Sequence, residues 1–111
     1  MTIPRKVAVI GAGDIGVGWA ALCASAGWSV AIYDMNPSAL DRASDQIERR
    51  TQALVELDRA PQGIVDRGLR ELVRAKFLTE ALQEADWVIE AISEDVVAKQ
   101  KLLAGVEQAV A

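Results

Sequence analysis

The chain has 111 residues, of which 51% are hydrophobic and 25% charged, enough apolar material for one packed domain and too much for a disordered chain. A net charge of −4 argues against a nucleic-acid backbone or an anionic membrane surface as the main partner. One cysteine, Cys23, excludes a disulfide framework and fits a reducing, cytoplasmic setting; no apolar run reaches the ~18 residues of a membrane span, and there is no histidine.

Met1 to Lys6 show no signal or transit pattern and lead into Val7-Ala8-Val9-Ile10, a short apolar run of the kind covered on both faces of a sheet. Gly11-Ala12-Gly13-Asp14-Ile15-Gly16 follows, and Ile15, Trp19, Leu22, Cys23 and Ala26 then recur at helical spacing until Gly27. Ser29 to Tyr33 is a second strand, ending at Asp34. Asn36-Pro37 opens a long helix whose apolar stripe is Leu40, Ala43, Ile47, Leu54 and Leu57. Ala60-Pro61-Gln62-Gly63 breaks it, and Val65, Leu69, Leu72 and Val73 mark a second helix. The pair forms a helical hairpin over about 37–75, inserted where a plain doubly wound fold needs one crossover helix.

Ala75 to Leu78 reads as a weak third strand, and Thr79 as the cap of a short helix running to Ala85. Asp86 to Ile92 is a stronger fourth strand, and Ser93 caps a last helix with Glu94 and Asp95 in its first turn. Alternating strands and helices predict an α/β fold, a Rossmann-type doubly wound parallel sheet of about four strands. The expected order, 3-2-1-4, leaves the fourth strand at an edge, Trp87 to Ile92, through which a homodimer would pair.

Gly11, Gly13 and Gly16 stand in G-x-G-x-x-G spacing between a strand and a helix, and Asp34 lies 23 positions after Gly11. Gly11 permits a tight turn, Gly13 lets a pyrophosphate approach the backbone, and Gly16 lets the helix pack against the sheet. The free N–H groups of the helix start, at Asp14 and Ile15, complete a phosphate site. Asp34 suits the two hydroxyls of an adenosine ribose; the alternative is a local turn contact. Met35 to Ser38 contain no arginine for a 2′-phosphate, and Arg42 is a poor substitute, so NAD is favoured over NADP, with FAD a distant third. Asp14 is an awkward neighbour for a phosphate and reads as an acid at a helix N-terminus pointing to solvent.

These residues carry a resemblance. Val7 to Gly16, Ala26-Gly27-Trp28-Ser29-Val30, Tyr33-Asp34 and Asn36-Pro37 resemble the start of 3-hydroxyacyl-CoA dehydrogenases, and Ala85 to Asp95 with Lys99 resembles that family's fourth strand and next helix. The first block alone also fits 6-phosphogluconate or hydroxyisobutyrate dehydrogenases. Ile15-Gly16-x-Gly18-Trp19-Ala20 is further similar to the lambda-crystallin, gulonate dehydrogenase and carnitine dehydrogenase relatives.

The resemblance implies an NAD-dependent oxidoreductase converting a 3-hydroxyl to a 3-keto group, on a small substrate such as a 3-hydroxyacyl-CoA or a related 3-hydroxy acid. It places Glu94 and Lys99 on the nicotinamide-ribose side, with the backbone of Ala91 and Ile92 near the cofactor. The plainer readings are a helix-dipole acid for Glu94 and an i,i+4 partner of Asp95 for Lys99. The role of Glu90, within a strand, is open. Eight of the 12 basic residues lie in the hairpin region and read as solvated faces, with no match to CoA-binding positions. Trp19, Trp28 and Trp87 read as packing residues and Cys23 as buried and inert.

The family's catalytic histidine, with its glutamate, serine and asparagine partners, has no counterpart here, so no residue is assigned a catalytic or metal-binding role. The chain is expected to be the N-terminal NAD-binding domain of a larger dehydrogenase, inactive alone. A free-standing NAD-binding or sensing module and a crystallin-like structural protein are the alternatives.

Overall fold

The computed structural model describes residues 5–92 and 105–106. Its elements are β1 (Lys6–Ile10), α1 (Asp14–Ser25), β2 (Ser29–Tyr33), α2 (Pro37–Glu56), α3 (Gln62–Arg70), β3 (Val73–Arg74), α4 (Leu78–Leu82) and β4 (Trp87–Glu90). The strands form one parallel sheet in the order β3-β2-β1-β4, as the sequence predicts.

Alternation along β1 sends successive side chains to opposite faces, and both faces are covered. Val7 and Val9, with Val30 and Ile32 of β2, meet Val17, Ala20, Ala21 and Ala24 of α1 and Ala43 and Ile47 of α2. Ala8, Ile10 and Ala31 face the other way, onto Ala75, Ala81, Leu82 and the partly buried Leu78 and Val106. Helices on both faces of a parallel sheet are the doubly wound arrangement.

α2 starts where the sequence places it. Pro37 occupies the first turn and the Asn36 side chain accepts from the Ser38 N–H at 2.9 Å. Thr51 is fully buried on this helix, its hydroxyl donating to the Glu48 carbonyl at 2.8 Å. The break before α3 is tighter than expected, because Pro61 is itself the cap and the helix resumes at Gln62.

Several expectations are corrected. α1 does not bury its large apolar residues: Ile15, Trp19 and Leu22 are exposed, while Gly16, Val17, Ala20, Ala21 and Ala24 face inward. This helix lies against the sheet, α2 and α3 at once, and such close approach admits only small side chains. Trp19 and Trp87 are therefore not core packing residues, whereas Trp28 is partly buried and holds the Arg5 guanidinium 5.4 Å from its ring centre. Cys23 is half-buried against the first core, and burial pushes its thiol pKa up, as fits an inert cysteine.

The third strand lies at Val73–Arg74, not at 75–78. Pairing with β2 begins as soon as α3 ends and closes with the Ala75 N–H donating to the Ile32 carbonyl at 2.8 Å. The apolar residue that suggested a longer strand, Leu78, instead serves the second core from the start of α4. Thr79 does not cap that helix; Phe77 holds the position, and the Glu80 carboxylate reaches back to the Lys76 N–H at 3.3 Å. β4 is shorter than the apolar run suggests, since the chain leaves the sheet once the Ala91 N–H has bonded the Ile10 carbonyl at 2.8 Å. Of the expected last helix, Gly105 and Val106 are helical, while Ser93, Glu94, Asp95 and Lys99 lie outside the described residues.

Candidate cofactor site

Register assembles the site. Ile10 is level with Tyr33 on one side and Glu90 on the other, so three strands end side by side. The residues that follow them, Gly11–Gly16, Asp34 and Ala91–Ile92, converge at the carboxyl edge of the sheet. This is the switch point, between β1 and β4: the chain runs outward from β1 through β2 to β3, then crosses back to place β4 on the other side of β1, and ligands of open α/β sheets bind at such a reversal.

The glycine loop is held by backbone contacts. The Gly11 N–H donates to the Tyr33 carbonyl at 2.7 Å. Gly11 has φ +114°, and a Cβ there would lie 2.5 Å from the Ala91 carbonyl oxygen, so both conformation and space require glycine. At Gly16 a Cβ would run into the Gly11 carbonyl, because the first turn of α1 sits directly on the loop. Gly13 differs from both. It precedes α1 with ordinary extended dihedrals, and nothing lies within 4 Å of where its Cβ would be.

The first-turn amides of α1, at Asp14, Ile15 and Gly16, have no carbonyl one turn back to bond, and no side chain caps them. That open, electropositive helix start beside Gly13 suits an anionic pyrophosphate.

Asp34 ties the two halves of the crevice together. Its Oδ2 accepts from the Ala12 N–H at 2.7 Å and its Oδ1 from the Asn36 N–H at 2.7 Å. The local turn contact weighed in the sequence thus exists, and it does not consume the carboxylate, since each oxygen offers more than one acceptor direction. The bonds orient the group at the end of β2, half-buried beside the loop.

Glu90 is partly buried at the end of β4, and its Oε1 accepts from the Ile92 N–H at 3.1 Å. Ala91 backs Gly11 with its carbonyl, and Ile92 packs on the second core. Glu94 and Lys99 lie outside the described residues.

Asp14 points to solvent, and it has a partner that the sequence does not single out. Arg50, grouped there with the solvated hairpin cations, reaches across from α2 to the start of α1. The two positions are 36 residues apart, and only the packing of α2 on α1 reveals the pairing. Beside them, Ile15, Trp19, Leu22 and Leu54 line an open apolar groove of about 560 Å³. Among the described residues there is no group of three or more potential metal ligands, and no helix is long and apolar enough to cross a membrane.

Residues 6–111 match the family model described as 3-hydroxyacyl-CoA dehydrogenase, NAD binding domain. A 3-hydroxyadipyl-CoA dehydrogenase of Escherichia coli is 40% identical over 100 residues, which cover 90% of this chain and 21% of that protein. An L-carnitine dehydrogenase of Mesorhizobium japonicum is 33% identical over 107 residues, 96% of this chain and 28% of the relative. Among solved structures, a 3-hydroxybutyryl-CoA dehydrogenase from Escherichia coli superposes with a TM-score of 0.79 at 33% identity, covering 98% of this chain and 23% of the other. A diketoreductase structure gives a TM-score of 0.84 at 30% identity, over 98% of this chain and 39% of the other. The chain therefore spans between about a fifth and two fifths of the length of these proteins. Sequence, sheet order and glycine-loop geometry agree: the chain belongs to the NAD-binding domain family of the 3-hydroxyacyl-CoA dehydrogenases.

Proposed function

We propose that these 111 residues form the cofactor domain of a longer, cytoplasmic NAD-dependent dehydrogenase that oxidises a 3-hydroxyl to a 3-keto group. The observation that carries this reading is the convergence of the Gly11–Gly16 loop, Asp34 and Ala91 at one switch point, with room for a ligand over Gly13. The substrate is a 3-hydroxyacyl-CoA or a related 3-hydroxy acid. The names of the 3-hydroxyadipyl-CoA and 3-hydroxybutyryl-CoA dehydrogenases to which the chain is similar support that class.

The residues present fit NAD. Backbone N–H groups of Gly13, Asp14, Ile15 and Gly16 would hold the pyrophosphate, with Gly11 setting the turn. Asp34 would take the adenosine ribose hydroxyls through the acceptor capacity left by its two backbone bonds. Ala91 and Ile92, with Glu94 and Lys99 beyond them, would border the nicotinamide side. Bound NAD supplies the hydride acceptor. The chain's own part is to fix that cofactor's position and to exclude the phosphorylated analogue, because a negative Asp34 beside a 2′-phosphate is repulsive.

The test is a titration with NADH and NADPH followed by fluorescence. Unmodified protein should prefer NADH. Asp34→Asn, which keeps an acceptor near the Ala12 N–H and removes the charge, should narrow the preference. Asp34→Ala should lower NADH affinity by about 10-fold or more, the scale of losing hydrogen bonds to a charged group. Equal affinities for NADH and NADPH in the unmodified protein would reject the assignment.

A further inference from the structure

We propose that Arg50 is a positioning residue for the cofactor: reaching from the helical hairpin, it neutralises the Asp14 carboxylate at the mouth of the phosphate loop. The inference rests on the reading of the glycine loop as the NAD site. It assigns the hairpin a part in cofactor binding that neither the loop nor its flanking strands can supply.

Asp14 is the first residue of α1, and its own amide belongs to the turn that would face the pyrophosphate. A carboxylate favours that place in an empty helix, through the partial positive charge of the helix start. An anionic ligand claims the same charge. Asp14 is thus a competitor of the pyrophosphate, and nothing within the loop relieves it.

The relief comes from α2. Arg50 Nη1 donates to the Asp14 carbonyl oxygen at 3.0 Å, and Nη2 lies 3.4 Å from Asp14 Oδ1. The bond to the main-chain oxygen fixes the guanidinium over the first turn, and the looser contact places its charge against the carboxylate. Gly18 leaves the space it occupies, since a Cβ there would come within 3.1 Å of Nη1. The Arg50 and Asp14 side chains are 43% and 92% exposed, so the pair contributes little to folding. Its consequence is local: the start of α1 carries no net side-chain charge toward an incoming phosphate.

The length of α2 makes this possible, because position 50, the fourteenth residue of the helix, arrives over the start of α1 only after several turns. A second salt bridge, Asp41–Arg74, joins α2 to β3 away from the loop.

The test is NADH affinity in a charge cycle, measured at low and high salt with the thermal midpoint of each variant. Arg50→Gln leaves the Asp14 charge exposed and should weaken binding about 3- to 10-fold at low ionic strength, the loss shrinking as salt screens it. Asp14→Asn leaves the arginine unopposed and should tighten binding by a similar factor. The double variant restores neutrality and should bind within about twofold of the unmodified protein. Arg50→Lys should retain most of the affinity, since the charge stays.

A role confined to packing the hairpin predicts otherwise: the loss in Arg50→Gln would persist in the double variant and ignore salt. That result, or Arg50→Gln binding as the unmodified protein does, overturns the proposal. If Arg50→Gln fails to fold, Asp14→Asn decides alone, and failure of that variant to tighten binding overturns it. Unmodified protein that binds no NADH removes the cofactor reading and this inference together, whereas normal binding with an unrescued Arg50→Gln removes this inference only.

Discussion

Gly16→Ala is expected to melt well below the unmodified protein, while Gly13→Ala should fold normally and bind NADH about tenfold more weakly or worse. The two glycines stand three residues apart in one loop and do opposite work. A methyl group at Gly16 enters the Gly11 carbonyl. That carbonyl cannot step aside, because the Gly11 N–H is bonded to the Tyr33 carbonyl at 2.7 Å and the residue already abuts Ala91. Overpacking a rigid contact commonly costs about 1–3 kcal/mol and sometimes more, which in a domain of this size is a large share of ~5–15 kcal/mol. At Gly13, φ is −79° and ψ −168°, which any residue adopts, and a Cβ meets nothing within 4 Å. Its methyl costs the empty fold almost nothing and occupies the space above the helix start that a pyrophosphate would fill. Thermal unfolding by circular dichroism and NADH titration separate the two effects. Gly16→Ala melting like the unmodified protein would contradict the packing described here. Gly13→Ala binding NADH unchanged would place the phosphate elsewhere.

The central sheet was legible in the sequence because its signals were local. The runs Val7–Ile10 and Ser29–Tyr33 are short, apolar and bounded by turn residues, and β1 and β2 follow them closely. The glycine spacing and Asp34 could be read because each depends on its neighbours in the chain, and the strand register then brought them together. What failed was inference from side-chain size. Ile15, Trp19 and Leu22 are the largest apolar residues of α1, yet the inward face belongs to glycine, alanine and valine, because three elements crowd the helix. The same bias placed the third strand at 75–78, where Phe77 is exposed, two residues past the pairing with β2. Contacts between distant residues carried no signal at all. That Asp34 would anchor the Ala12 N–H, or that Arg50 would reach Asp14, follows only from tertiary packing.

The second large effect expected is self-association of this 111-residue chain through β4. Sheet order puts β4 outside β1, and among the described residues no strand pairs with its other edge. Trp87 and Val88, on opposite faces of this edge strand, are 56% and 41% exposed. An edge of this kind is a template for a further strand. Two copies meeting antiparallel about a two-fold axis would satisfy both edges with one self-complementary interface. Cover by the final helix is the competing outcome, but its two described residues lie elsewhere. Val106 packs on the second core, and a Cβ at Gly105 would press on Leu78, so this stretch rests on a face of the sheet. Sedimentation at increasing concentration should therefore show a dimer. Val88→Lys places a charge on the edge at an already exposed position, so it should disperse the dimer with little change in thermal stability. A dimer that survives Val88→Lys and Trp87→Lys together assembles through another surface. A clean monomer at high concentration rejects edge pairing outright.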